Sequence, residues 1–323
     1  MTGPGLPAED TRLPGPSLKL SEEMIGPRVE DVPTPHARGA RRRHPWVQLL
    51  RDALHYRRTQ IGLVLFLSIL AIAVIGPYIA PYSPYEFVTA PFAKPSAVAH
   101  LGGDNLGRDV YSRVLYGGRS VLSLAAIATA IGMTIGVSLG LLAGYGRARV
   151  DEVIMRLLDV FLAFPEIIFV LLLVSVLGPR VWLIVLAVGL SHAPRVARVT
   201  RGATIQIREQ DFVKAAESLG VSRLKTLFGE ILPNITSPLL VEFGLRLTYS
   251  IGLVAALNFL GFGRQPPAAD WGLMINENRI GLGIQPYSVF VPVALIAILT
   301  IGTNLATDGL ARAMIGIERD TGT

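Results

Sequence analysis

The side chains that could do chemistry are few, and none of them stands in a pattern that catalysis or metal binding requires. The phosphate-binding pattern G-x-x-x-x-G-K followed by Ser or Thr is absent, and no Gly-Lys pair occurs anywhere. The five histidines are scattered, cysteine is absent, and the patterns H-E-x-x-H and G-x-S-x-G are both missing. We therefore predict a chain that is not an enzyme, holds no metal and binds no cofactor itself.

Three ionisable residues stand inside long apolar runs, where such side chains normally face the interior of a helix bundle. Glu242 and Arg246 are four residues apart, which places them on one helix face within reach of each other. A pair of this kind is electrically neutral, so both a structural and a functional role stay open. Glu166 follows Pro165 and has no partner nearby in the sequence, so we expect it to face an internal path or another helix.

The elements that must carry these residues are long apolar helices. The chain of 323 residues is 51% hydrophobic and 17% charged, against about 25% charged in a typical soluble domain. A membrane-spanning helix needs roughly 20 apolar residues. Six runs approach or reach that length, at about Ile61–Ala80, Ser120–Gly144, Leu158–Gly178, Val181–Ala193, Pro238–Gly261 and Tyr287–Ala306. The short fourth run has an alternative, in which its helix extends through Arg195 toward Arg201 on a protein-facing side.

The positive charges indicate which side each connection occupies. Lysine and arginine collect in cytoplasmic segments of membrane proteins. Here they are dense in the N-terminal tail, in the 145–156 link and in the 194–235 loop. This predicts cytoplasmic N- and C-termini, and it explains the net charge of +6 without a nucleic-acid partner. Residues 1–45 are rich in Pro and Gly and are predicted to be a disordered cytoplasmic tail. Residues 46–316 form the predicted six-helix domain, and 317–323 a C-terminal tail.

The second run contains a glycine at every fourth position. Gly132, Gly136, Gly140 and Gly144 share one face of the predicted helix. Small residues at this spacing let another helix approach closely in a membrane. We interpret the stripe as a packing surface and not as part of a pore.

The 211–234 segment has the pattern of two short helices with a break. Phe212, Ala215, Ala216 and Leu219 fall at helical spacing and predict a small apolar face. Gly220 suits a helix end, Ser222 suits the cap of a second helix, and Pro233 is expected to stop that helix. Such a unit either docks onto a partner protein or packs on its own bundle, and patterning alone leaves both open.

This segment resembles the "EAA" loop of permeases from ATP-binding-cassette (ABC) importers. The matching residues are Ala215, Ala216, Gly220, Leu232 and Pro233, while Lys214 replaces the usual glutamate. In that family the loop sits in a groove of the ATPase subunit and passes on its closure. The resemblance therefore implies that Lys214 to Pro233 form an ATPase-coupling loop, with ATP and Mg²⁺ bound in the partner subunits.

Further motifs resemble the C-type permease subunit of the dipeptide/oligopeptide family. Gly102, Asp104, Gly107, Arg108 and Asp109 match the pattern G-x-D-x-x-G-R-D after the first span. A second motif resembles the stretch after the fifth span of this family, with the residues Asn258, Gly261, Gly263, Pro266, Pro267, Trp271 and Gly272. A third resembles the closing motif of the family, with the residues Asn304, Asp308, Gly309, Leu310 and Arg312. Asn258 stands where the family usually has Ser, and Ala311 intervenes before Arg312.

The charged segment from Asp104 to Arg119 is predicted to be an amphipathic helix lying at the outer membrane interface. Leu106, Val110 and Val114 would face one side, with Arg108 and Asp109 opposed. It could support a gate, dock a binding protein, or simply anchor the chain. Trp271 is expected at the same interface, as aromatic residues often are.

The resemblance implies an all-α fold of the type I ABC-importer permease. It also implies a location in the bacterial inner membrane. The implied partners are a second homologous permease, two cytoplasmic ATPases and an extracytoplasmic substrate-binding protein. The expected function is peptide import, with haem, glutathione or nickel chelates as alternative cargoes. Two rivals from other classes are an ion-coupled secondary transporter and a membrane-embedded enzyme.

Overall fold

The computed structural model describes residues 1–3 and 51–321, with side chains described up to residue 314. The predicted tail 1–45 lies outside the described residues apart from its first three. Between residues 51 and 321 the regular structure is helical, joined by two isolated β-bridges at Phe87–Arg108 and Gly103–Asp109. This agrees with the all-α fold class expected from the sequence.

The helices described follow one another with short connections, apart from a long loop over residues 80–109. They are α1 Arg57–Ile79, α2 Val110–Tyr145, α3 Ala148–Leu162, α4 Glu166–Leu177, α5 Val181–Arg208, α6 Asp211–Ser218, α7 Arg223–Thr226, α8 Leu232–Asn234, α9 Thr236–Phe259, α10 Trp271–Asn278 and α11 Tyr287–Thr321. A π-helical turn over Leu227–Ile231 joins α7 to α8, and a 3₁₀ turn over Arg279–Gly281 follows α10.

Five of these helices are long and apolar enough to cross a membrane: α1, α2, α5, α9 and α11. The pair α3 and α4 makes a sixth candidate span, but the two helices meet at an angle of 83°. The third run predicted from Leu158 to Gly178 is therefore broken. The reason is Pro165, which lacks an N–H and disfavours helical geometry in the residue before it.

The helix that contains the fourth apolar run is much longer than the run itself. Helix α5 continues to Arg208 with Pro194 in its interior, which is the alternative noted above for this run. A proline is tolerated there because membrane helices compensate for the missing hydrogen bond locally. The 194–208 part of the predicted 194–235 loop is thus helix, and the connection begins at Glu209.

Helices α2 and α5 pack together along the glycine stripe, as predicted. A Cβ atom added at Gly136 would lie 2.5 Å from the Val196 Cβ, and one added at Gly140 would lie 2.5 Å from the Thr200 Cβ. Both distances are well inside ordinary carbon–carbon contact of about 3.5–4.0 Å. The backbones can approach this closely only because the stripe carries no side chains.

A second closely packed helix pair consists of α1 and α11, the first and last helices of the domain. Gly62 of α1 lies directly against the backbone of α11, where an added Cβ would be 2.7 Å from the Gly302 carbonyl oxygen. The buried cluster around Ile69, Val121, Ile251 and Leu299 then ties α1, α2, α9 and α11 into one core. The backbone of α11 stays helical to Thr321, so residues 317–321 extend this helix.

Candidate functional site

The 211–234 segment contains the predicted break, and its backbone geometry explains why glycine stands there. Gly220 has a φ of +76°, in the left-handed region that residues with a side chain rarely adopt. The Val221 N–H donates to the Ala216 carbonyl at 3.1 Å, and the Gly220 N–H donates to the Glu217 carbonyl at 3.0 Å. These two bonds form the Schellman motif, which ends α6 sharply. The second helix then starts at Arg223, after Ser222.

The apolar face of this segment differs from the predicted one. Val213 is the fully buried residue of α6, and it packs with Leu227, Ile231, Leu141 and other residues of one apolar cluster. Phe212 and Leu219, which the sequence placed on one apolar face, are both exposed, Leu219 by 84%. Helical periodicity identifies neighbours on a face but not which of two apolar faces is covered.

Two further details of the second helix depart from expectation. Ser222 occupies the N-cap position without a side-chain hydrogen bond to the helix. Pro233 does not stop the helix, because it lies near the start of α8, where its missing N–H costs no internal bond. The chain passes almost directly into α9, so movement of this segment is coupled to a spanning helix.

The remaining residues of the resemblance motif lie at the surface of α6. Ala215 is exposed, Ala216 is half-buried, and the Lys214 ammonium lies 3.4 Å from the exposed Glu209 carboxylate. A hydrogen bond also ties this surface to the bundle, since the Tyr145 hydroxyl at the end of α2 donates to the Glu217 carboxylate at 2.7 Å. The outward residues Phe212, Leu219, Val221, Leu224 and Phe228 form a surface that we call the exposed apolar face of the 211–234 segment.

The G-R-D motif forms a buried charge cluster, and the prediction of a separate interfacial helix is wrong. Helix α2 begins only at Val110 and continues without interruption as the second span. Asp109 caps it, accepting from the Ser112 N–H at 2.8 Å. Asp104 accepts from the Arg108 side chain at 2.6 Å, and both side chains are fully buried. Gly107 has a φ of +81° and lies against the backbone of Thr89.

A carboxylate that pairs with these buried arginines comes from a distant part of the sequence. The Glu277 carboxylate of α10 lies 2.8 Å from the guanidinium of Arg113, a side chain with 0% exposure, and 3.3 Å from that of Arg108. Trp271, the first residue of α10, is also fully buried, and its ring N–H donates to the Val114 carbonyl at 2.9 Å. The motif and Trp271 therefore serve to fix α10 against α2, and not to anchor at an interface.

The two intramembrane acids each have a basic partner. Glu242 and Arg246 pair at 2.8 Å with both side chains nearly buried, as their spacing predicted. The Arg246 guanidinium also lies 5.1 Å from the centre of the Tyr249 ring. Glu166 has partners that the sequence did not reveal: the His192 Nδ1 at 2.8 Å, the Ser191 hydroxyl at 3.0 Å and the Arg195 guanidinium at 2.8 Å.

Glu166 belongs to a row of three ion pairs that fastens the bent α3–α4 pair to α5. Arg195, Arg198 and Arg201 recur at every third position of α5. Their partners are Glu166 at 2.8 Å, Asp159 at 2.5 Å and Asp151 at 2.5 Å. The acids lie seven and eight residues apart, about two helical turns, which was the only sequence signal for this row.

No group of three or more His, Cys, Asp or Glu side chains with metal-binding geometry occurs among the described residues. The prediction that the chain holds no cofactor rests on its sequence motifs. The described residues offer ion pairs within the bundle, a buried charge cluster at the start of α2 and the exposed apolar face of the 211–234 segment.

Comparison with known proteins identifies the family. The profile described as "Binding-protein-dependent transport system inner membrane component" matches residues 136–316. That described as "N-terminal TM domain of oligopeptide transport permease C" matches residues 45–95.

Curated relatives match over nearly their full length. The glutathione transport system permease protein GsiD of Pectobacterium atrosepticum is 36% identical over 84% of this chain and 91% of its own length. The dipeptide transport system permease protein DppC of Alkalihalophilus pseudofirmus is 33% identical over 84% of this chain and 89% of its own length. A solved inward-facing MetNI methionine ABC transporter is similar with a TM-score of 0.49 and 20% identity, covering 62% of this chain and 95% of the solved one.

The resemblance drawn from the sequence motifs is thereby confirmed. The chain belongs to the inner-membrane permease family of binding-protein-dependent ABC importers, with an N-terminal region of the oligopeptide permease C type.

Proposed function

We propose that this chain is one of two permease subunits of an importer that moves short peptides into the cell. Relatives of this chain are named for dipeptide and glutathione transport, and glutathione is itself a tripeptide. The proposed partners are a homologous permease, two ATPase subunits that bind ATP and Mg²⁺, and an extracytoplasmic binding protein. Family membership supports ATPase and binding-protein partners, and the subunit counts are part of the proposal.

The observation that carries the coupling role is the exposed apolar face of the 211–234 segment. Large apolar side chains clustered on one surface mark sites of protein contact. In this segment the inner residues are already packed, so the outer ones are available to a partner. We propose that the ATPase docks here, with Gly220 shaping the contact and Lys214 contributing little.

The test is co-purification combined with uptake. The native chain, tagged and extracted in mild detergent, is expected to bring a second permease and ATPase subunits. Gly220→Asp is expected to abolish ATPase co-purification and peptide uptake while membrane insertion is unchanged, because it strains a left-handed backbone and adds a charge to an apolar contact. Gly202→Asp is the control, since an added Cβ there meets no atom within 4 Å and no positive φ is imposed. Normal uptake by Gly220→Asp would contradict the coupling role.

The cargo is tested by direct competition in the assembled transporter. Uptake of a labelled dipeptide is expected to depend on ATP and to be inhibited by excess unlabelled dipeptide. Stronger inhibition by glutathione would instead favour the cargo named for GsiD. Uptake that survives ATP depletion but is lost with the ion gradient would refute the proposal for either cargo.

We also propose that both termini face the cytoplasm. The chain has no native cysteine, so single cysteines report the side directly. Ser218→Cys is expected to react with an impermeant thiol reagent only from the cytoplasm, and Leu106→Cys only from outside. Leu106 is chosen because it is exposed, whereas Asp104 in the same motif is buried. The reverse labelling pattern would contradict this orientation.

A further inference from the structure

A cleft of about 640 Å³ opens between α4, α9 and α11, within the apolar part of the bundle. Its volume falls in the range of about 300–1,000 Å³ found for small-molecule sites. Half of its ten lining residues are polar, although the surrounding helices are apolar enough to span a membrane. These polar residues are Glu166, Thr248, Tyr249, Thr300 and Asn304.

Asn304 is the residue that lipid would tolerate least. The neighbouring hydroxyls of Thr300 and Thr303 donate to carbonyls of their own helix at 2.8 Å. Within residues 51–321, the Asn304 amide makes no such bond, and the residue is exposed on the cleft wall. A primary amide offers two donors and an acceptor, and leaving these unpaired in hydrocarbon is strongly unfavourable. The amide therefore requires water, a polar ligand or a polar group of a partner subunit.

Tyr249, on α9, presents a second hydrogen-bonding group to the cleft. The residue is 58% exposed, and its ring is held against the guanidinium of Arg246. One turn further along α9, Gly252 forms part of the wall, and an added Cβ there would meet no atom within 4 Å. The absence of a side chain at Gly252 leaves the space in front of Tyr249 open.

The charge of the cleft argues for a ligand without a strong net charge. Glu166 is its one acid, and that carboxylate is already paired with Arg195 and His192, leaving 20% of the side chain exposed. A bare cation or anion would find no unpaired counter-charge among the lining residues. A peptide backbone suits the walls better, because each peptide unit carries one N–H donor and one carbonyl acceptor.

We infer that this cleft is a cargo-contact site in the permease, where Asn304 and Tyr249 hydrogen-bond the backbone of a short peptide. The inference rests on the proposed peptide import. It assigns part of the cargo selection to this chain itself, in addition to the separate binding protein.

The first experiment measures water access and protection. Asn304→Cys and Ile301→Cys are made in the cysteine-free chain, within the full transporter in nanodiscs. Ile301 is the matched control, because it is exposed on the same helix but does not line the cleft. An impermeant methanethiosulfonate reagent is expected to label residue 304 at least tenfold faster than residue 301, and saturating alanyl-alanine is expected to slow labelling at 304. An unreactive residue 304, covered by lipid or by the second permease, would overturn the inference.

The second experiment fills the cleft. Gly252→Leu is expected to lower alanyl-alanine uptake at least tenfold while its level in the membrane and its co-purification with the ATPase are unchanged. Gly202→Leu, equally open but outside the cleft, is expected to transport normally. Normal uptake by Gly252→Leu would refute the inference that the cargo binds in this cleft.

If the chain does not import peptides at all, the two experiments give a different pattern from the one expected when only the cleft inference is wrong. In that case neither the native chain nor Gly202→Leu imports peptide. Labelling at residue 304 then shows no protection by peptide, which also refutes peptide binding in the cleft.

Discussion

Replacing Gly136 by alanine tests whether the α2–α5 contact holds the bundle together. The added Cβ would lie 2.5 Å from the Val196 Cβ and 2.8 Å from the Ala193 carbonyl oxygen. Relief of these contacts to ordinary separations requires the helices to move apart by about 1 Å. Overpacking of this kind costs about 1–3 kcal/mol, and the better helix propensity of alanine returns up to about 1 kcal/mol.

The two terms leave a net loss between zero and about 3 kcal/mol, and its middle value of about 1–2 kcal/mol corresponds to a fall in Tm of roughly 2–8 °C. Intrinsic tryptophan fluorescence during heating measures this directly, because Trp271 is fully buried and reports loss of packing. Gly140→Ala should behave similarly, since its Cβ would lie 2.5 Å from the Thr200 Cβ.

The matched control is Gly202→Ala on α5, where nothing lies within 4 Å of the added atom. Helix propensity predicts no loss there and a gain of up to about 1 kcal/mol. If Gly136→Ala lowers the Tm no more than Gly202→Ala does, the stripe is not a packing surface and the argument fails.

Two further stability predictions concern the buried charge cluster at the start of α2 and the cap of α10. Glu277→Ala leaves Arg113 buried without its closest carboxylate and is expected to lower the free energy of unfolding by about 3–5 kcal/mol. Its control is Glu152→Ala, which breaks an exposed pair with Arg156 and is expected to change stability by less than about 1 kcal/mol. Equal shifts in Tm for the two variants would contradict this prediction. Asp270 caps α10 through the Gly272 and Leu273 N–H groups, so Asp270→Ala is expected to lose about 1 kcal/mol more than Asp270→Asn. Burial raises the pKa of the Asp270 carboxyl. Because the folded state then binds a proton more tightly than the unfolded state, the native chain is expected to gain stability relative to Asp270→Asn as the pH falls from neutral toward the ordinary aspartate pKa. A stability difference that does not change with pH would refute the raised pKa.

Patterns with a fixed local period could be predicted from the sequence. The glycine stripe of α2 and the Glu242–Arg246 pair depend on residues four apart, and the structure has both. The apolar runs predicted the spanning helices, apart from the break in the third run and the longer course of the fourth helix. Gly220 was recognisable for the same reason, because the conformation that it adopts is a local property of the backbone.

Features that depend on distant residues could not be predicted. Arg108 was predicted on a solvent-facing polar side because its partner Glu277 lies more than 160 residues away in the sequence. Glu166 had no visible partner because its bonds reach across to α5. In α6 the period was correct, but only the tertiary structure shows that Val213 is the side chain packed inward.

The unbroken course of α2 has a mechanical consequence. Its 36 residues correspond to about 54 Å, against a hydrocarbon core of about 30 Å. One end is capped by Asp109 beside the buried charges, and the other is bonded through Tyr145 to Glu217. A rigid rod of this length, turned by about 5° around its centre, moves each tip by about 2.4 Å in opposite directions. If the 211–234 segment moves as proposed, we expect α2 to carry that displacement to its other end as a tilt of one continuous helix.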